Sequence, residues 1–176
     1  GWAALAHYHT YFGWDWKLAE YAFNRANELN PNLAYNHYHR AWYLALFGRM
    51  NEAIAEHKRA QELDPFTPLH TAWLGELYRM VGEYEEGLAE IEKVEQMQKD
   101  NVLGMLVKGR ILVSQGNTKQ GLETLKEASQ INPYWKFYFY GLAFMQGGNK
   151  VEGMALIREL EAMPTTNWNA LCLGQM

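Results

Sequence analysis

The chain has 176 residues, 48% of them hydrophobic and 20% charged, with a formal net charge of −4. Mild acidity, with no run of basic residues longer than a pair, argues against a nucleic-acid partner. No apolar run approaches the ~18 residues that a membrane-spanning helix needs, so no membrane segment is expected.

A compact domain of this length would bury roughly 70% of its unfolded surface, enough for a core. The single Cys172 excludes an internal disulfide and fits a reducing, cytoplasmic compartment. Its setting, Ala-Leu-Cys-Leu-Gly, is that of a buried packing residue. Gly1 opens inside a helical pattern and Met176 closes inside an apolar one. The expectation is a segment of a longer protein.

Taken in chain order, the first stretch runs from Trp2 to Pro31. An aromatic-rich helix carrying Tyr8, Tyr11 and Phe12 leads to a turn at Gly13-Trp14-Asp15, with Asp15 as the N-cap of the next helix. That helix, Trp16 to Leu29, places Ala19, Ala22, Phe23 and Ala26 on one stripe, and Asn30-Pro31 ends it.

The second stretch carries Tyr38, Ala41 and Trp42 before Gly48, then Ala53, Ile54, His57 and Ala60 facing inward up to Pro65. The third starts at Pro68, a good first-turn residue, turns at Gly82 and returns through Leu88, Ile91 and Val94. The fourth turns at Gly116 and stops at Pro133. The fifth turns at Gly147-Gly148-Asn149 and ends at Pro164, three residues short of the step. Trp168, Leu171 and Leu173 begin a sixth.

These stretches repeat one another. Gly48, Gly82 and Gly116 are 34 residues apart, as are Ala26, Ala60, Val94 and Ala128, and so are Leu29, Leu63, Met97 and Ile131. A fixed period of this length means one supersecondary unit stacked on copies of itself. The expected fold is all-α: an α-solenoid of antiparallel helix pairs, about five units plus the start of a sixth. The whole chain is read as one solenoid with units at about 1–31, 32–65, 66–99, 100–133 and 134–164 and a partial unit at 165–176.

Over nearly its whole length the chain resembles the tetratricopeptide-repeat (TPR) family. With Ala34 as the first position of a unit, the family's small residues fall on Ala41, Ala53 and Ala60 and its proline on Pro65. One unit on they fall on Gly75, Gly87 and Val94, with Lys99 in place of proline. A further unit on they fall on Gly109, Gly121, Ala128 and Pro133. Small residues at helix crossings let backbones approach to about 8 Å.

Lys99 leaves open whether the preceding helix runs on towards Asp100. Gly87 and Gly121, inside helices, are each expected to cost about 1 kcal/mol against Ala and to soften their units. Trp14-Asp15-Trp16, the Ala19-Glu20-x-x-Phe23-x-x-Ala26 run and Tyr43 to Arg49 further resemble TPR arms of bacterial signalling and transcription-regulator proteins.

The resemblance implies a groove lined by the first helix of each unit, where a peptide or protein segment binds. Carried over residue by residue, that lining is Tyr35, Tyr38, His39 and Trp42 in the second unit. The third unit gives Leu69, Ala72, Trp73, Glu76 and Arg79, and the fourth Leu103, Leu106, Val107 and Arg110. The fifth gives Phe137, Tyr140 and Phe144, and the first Tyr8 and Tyr11. Aromatics and Arg dominate interface energetics, but aromatics also fill such cores. The subclass that clamps a carboxylate needs Lys and Asn at groove positions, and none stands there.

The pairs His7/His9 and His37/His39 are too divergent on a helix to chelate one ion, so no metal or other cofactor is expected. Glu83, Glu85, Glu86, Glu90, Glu92 and Glu95 read as a solvated convex face. With two serines and no phosphate loop or nucleophile elbow, no enzyme chemistry has a candidate.

The leading expectation is therefore a protein-interaction scaffold. A regulatory or sensor arm of a larger signalling or DNA-binding protein is the alternative, and a small-molecule sensor the weaker one. Apolar ends without polar caps would also allow a second copy to stack on them.

Overall fold

The computed structural model of the chain describes residues 1–131, Gly148 and residues 150–162. Among these, every regular element is a helix: α1 (Trp2–Tyr8), α2 (Trp16–Leu29), α3 (Ala34–Leu46), α4 (Met50–Leu63), α5 (Pro68–Val81), α6 (Tyr84–Met97), α7 (Val102–Ser114), α8 (Thr118–Ile131) and α9 (Lys150–Glu161). The helices are packed in consecutive pairs, α1 with α2, α3 with α4, α5 with α6 and α7 with α8. The fold is an α-solenoid. Phe137, Tyr140 and Phe144, with Pro133, Pro164, Cys172 and the start of the sixth unit, lie outside the described residues.

The second helices α2, α4, α6 and α8 start at Trp16, Met50, Tyr84 and Thr118 and stop at Leu29, Leu63, Met97 and Ile131, every step being 34 residues. Glycine turns set this metre. Gly48, Gly82 and Gly116 sit at φ +71°, +84° and +90°, in the left-handed region that only glycine enters without strain. In each turn the glycine N–H and the next N–H reach back to close the preceding helix. Gly82 donates to Arg79 O at 3.1 Å and Glu83 to Tyr78 O at 3.0 Å, and the Gly48 and Gly116 turns repeat the pattern. Gly148 (φ +80°) keeps the conformation but comes 32 residues after Gly116, so the shortened fifth unit already departs from the step at its turn.

The first turn puts a residue other than glycine at the left-handed position. Helix α1 widens after Tyr8 into a π turn over His9–Gly13, and Trp14, in step with Gly48, takes the left-handed conformation at φ 52°. Asp15 then caps α2, its Oδ1 accepting from Leu18 N at 3.0 Å, as its place in the sequence predicts.

Two expectations change. Helix α6 does not run on past Lys99. It ends at Met97 in register with the other second helices, and Asn101 starts α7 by accepting from Gly104 N at 2.8 Å. A cap residue here does what proline does elsewhere.

Gly87 and Gly121 are also more than soft spots. A Cβ on Gly87 would lie 3.1 Å from Gly75 O, and one on Gly121 2.6 Å from Gly109 O. The pairs α5/α6 and α7/α8 thus cross backbone against backbone, where α3/α4 crosses on the fully buried Ala41 and Ala53. The lost helix propensity is exchanged for closer packing.

Candidate functional site

The first helices carry the chemistry that the second helices do not. On α3, Tyr35, Tyr38, His39 and Trp42 occupy successive turns, so side chains three and four apart share a face. Their rings join those of α1, α4 and α5 in one cluster. His7 stacks on His39 with centroids 4.0 Å apart and planes 18° from parallel, and its Nδ1 lies 2.7 Å from Tyr35 OH in a hydrogen bond. Tyr35 and Tyr38 stand edge-on to His39 at 4.2 and 4.7 Å. Tyr38 also meets His57 and His70 at 5.4 Å each, and Trp42 meets Trp73 at 5.2 Å. Tyr11 reaches His39 at 6.2 Å.

Burial divides the predicted lining. Tyr8 (54% exposed) and Tyr35 (41%) face solvent, and Tyr11, Tyr38, Trp42 and Trp73 are half-buried. Leu69 is exposed and Leu103 half-buried. Leu106 is a correction: with Ala72 and Val107 it is fully buried, and it packs in the core with Val113, Leu125 and Ala128. A partner cannot reach it. The family position carried over onto Leu106 is a core position here, on a helix that is apolar nearly all round.

Glu76 and Arg110 are buried as well, and with Arg79 they form an ion cluster linking α5 to α7. Glu76 Oε1 accepts from Arg79 Nη2 at 2.8 Å and lies 2.7 Å from Arg110 Nη1 in an ion pair, while Oε2 accepts from Arg79 Nε at 2.9 Å. Arg79 Nη1 donates to Ser114 Oγ at 3.2 Å. Charged, bidentate hydrogen bonds of this kind offset part of the desolvation of the ions. These three residues fix the spacing of two neighbouring first helices. They are not loose lining groups.

The imidazoles fall into two environments. His39, His57 and His70 are buried among rings, and His39 Nδ1, both nitrogens of His57 and His70 Nδ1 meet no hydrogen-bond partner. Burial pushes His39 and His57 down to about 3, with the neighbouring His7 and His70 adding to the effect on His39 and His70 to that on His57. Burial also lowers His7, and it lowers His70 despite Asp64 Oδ2 at 3.7 Å from its Nε2. Tyr38 is pushed up to about 12 by the same burial.

His37 lies on the other side of α3 and behaves in the opposite way. Its Nδ1 is 2.6 Å from Glu56 Oε2 and its Nε2 2.9 Å from Pro31 O, two acceptors that favour the doubly protonated ring. The Glu56 hydrogen bond, opposed by burial, raises its pKa.

The sequence places His57 facing inward and His7 only in its pair with His9; that they join His39 and His70 in one ring cluster is not read from it. A signal was there, since His57 stands in step with Phe23, Ile91 and Leu125, all core residues. Among the described residues no group of three His, Cys, Asp or Glu is placed to hold a metal. Glu90 departs from the expected solvated acidic face: it is buried, accepting from Gln61 Nε2 at 2.9 Å and Lys93 Nζ at 2.6 Å. No described helix is long and apolar enough to cross a membrane.

No family model matches the sequence. Over 112 residues it is 29% identical to human Tetratricopeptide repeat protein 13, a stretch that is 64% of this chain and 13% of that protein. Solved structures that share its course include three helical-repeat proteins. A tetratricopeptide repeat protein from Parabacteroides merdae matches with TM-score 0.77 at 14% identity, over 99% of this chain and 69% of that one. A thermophilic TPR protein of Thermus thermophilus matches with TM-score 0.76 at 19% identity, over 96% and 94%. YrrB, described as a TPR protein with an unusual peptide-binding site, matches with TM-score 0.59 at 14% identity, over 99% and 91%. The chain has the tetratricopeptide-repeat fold.

Proposed function

With that fold as the premise, we propose that the chain is an interaction module that binds an extended peptide or protein segment across its first helices. The observation that carries this reading is the half-exposed ring ladder Tyr35, Tyr38, Trp42 and Trp73, which lies beside the Glu76–Arg79–Arg110 cluster on consecutive first helices. Rigid aromatic anchors beside fixed guanidinium groups are what interface hot spots are made of. The peptide-binding site in the name of YrrB supports the same use of this fold.

In this reading Tyr8 and Tyr11 extend the ladder at one end, while Phe137, Tyr140 and Phe144, carried over from the resemblance, lie outside the described residues. Leu106 is excluded. Placement in the cytoplasm belongs to the same reading.

Titration of an extended-peptide library against the chain tests it. Trp42→Ala should weaken the tightest binder about tenfold or more while helical content is retained. Unchanged affinity of every binder would refute the proposal. A second reading, a regulatory arm of a larger protein, is favoured by the human relative, in which the matched stretch is 13% of the length. A full-length gene without an effector domain would remove it.

A further inference from the structure

The seam between α1 and α3 is made by a histidine on each side. His7 of α1 stacks on His39 of α3 at 4.0 Å and is hydrogen-bonded to Tyr35, also on α3. Behind His39 the box closes with Tyr38, then His57 of α4 and His70 of α5, 6.2 Å from each other. The polar groups facing this box are Tyr11 from the π turn after α1, Tyr35 and Tyr38 from α3, and, at the corner between α4 and α5, Asp64 beside His70. From α6, Glu90 comes only as far as Gln61, whose Nε2 donates to it at 2.9 Å and to Thr71 Oγ1 at 3.0 Å. Among the described residues no carboxylate pairs with His7, His39 or His57, so a proton arriving there finds rings and other imidazoles.

We propose that the stacked His7–His39 pair is an acid-operated release that undocks α1 from α3 while the α5–α8 pairs stay folded. Two imidazolium rings cannot remain stacked at 4.0 Å in an apolar box, and undocking α1 is the smallest motion that returns both to water. The seams further along differ in kind. Ile91, Val94, Val107 and Ile111 form a core with nothing to protonate.

The direction of the pH dependence follows from the burial. His39 held near 3 when docked and at about 6.5 when released favours the docked form fully above pH 6.5, and this preference is lost as the pH falls from there towards 3. Between pH 7 and pH 4 the opening equilibrium should rise on the order of a hundredfold from this group alone. The undocked state also removes Tyr8 and Tyr11 from the proposed binding face, although the release itself does not depend on that reading.

Amide hydrogen exchange on the whole chain, corrected for intrinsic rate, tests the device across pH 7 to 4. Protection in α1 and the first turns of α3 should fall about a hundredfold more than in α7 and α8. His39→Phe keeps a ring in the stack and removes the proton site, so it should hold α1 protected at pH 4. His39→Leu, which also removes the proton site, is the second variant should the first not fold, with the same expected result. Equal loss of protection in α1 and α8, or an α1 that opens at the same pH in a folded variant, would overturn the proposal.

Discussion

The two ends of the described solenoid share a period and differ in what they put at its fixed places. From α1 to α4 the helices are joined by rings: Phe23 packs on Tyr43 at 5.5 Å, and His7 stacks on His39. From α5 to α8 the joints are aliphatic and the helices cross on paired glycines, Gly75 with Gly87 and Gly109 with Gly121. A repeat thus fixes where helices meet but not how the meeting place is filled. Rings fill volume at a distance, whereas glycines bring the backbones together. The first solution leaves polar edges and titratable groups inside the protein. The second buries Glu76, Glu90 and Arg110 too, but holds each of them in an ion pair.

The largest effect that would separate the two ends comes from emptying the ring core. Phe23 is almost fully buried in the cluster with Ala19, Tyr43 and Leu44, so Phe23→Ala should destabilise by about 3–5 kcal/mol. Urea unfolding followed by near-UV dichroism of the aromatics should show this loss first in α1 to α4. A loss shared evenly with α7 and α8 would mean that the solenoid unfolds as one unit.

The glycine crossing gives the next largest. Helix propensity predicts that Gly121→Ala gains about 1 kcal/mol. The added Cβ would lie 2.6 Å from Gly109 O and 2.9 Å from Val113 N, both backbone atoms, so overpacking should win with a net loss of about 1–3 kcal/mol. A gain in the urea midpoint would show that α7 and α8 can slide apart at no cost.

The smallest test concerns His37, whose pH behaviour should oppose that of the buried imidazoles. Its raised pKa means that the contribution of its bonds to Glu56 and Pro31 is complete below about pH 6.5 and fades as the pH rises through the folded value. His37→Gln should therefore destabilise by about 1 kcal/mol at pH 6 and by less at pH 9, read from paired urea curves. A deficit that grows with pH would contradict the assignment.

The scaffold was legible in the sequence because its determinants recur. Gly48, Gly82 and Gly116 announce the left-handed turns, and the end of α6 can be placed from Leu29 and Leu63 even though Lys99 stands where a proline was expected. What a single position does beyond the period was less legible. Leu106 belongs to the core because α7 has no polar stripe to say which side faces out. Glu76, Arg79 and Arg110 are each among the predicted groove positions, but their mutual pairing depends on the separation of α5 and α7, which no local pattern encodes. The histidine cluster draws on α1, α3, α4 and α5 at once, and pair spacing within one helix says nothing about rings that meet between helices.

The proposed function is tested most directly by where a bound peptide slows amide exchange. With the tightest binder from the library, the slowed amides should concentrate in α3 and α5, around Tyr35 to Trp42 and Trp73 to Arg79. Slowing confined to α4 and α6, with α3 and α5 unchanged, would place the partner on the opposite layer and contradict the account.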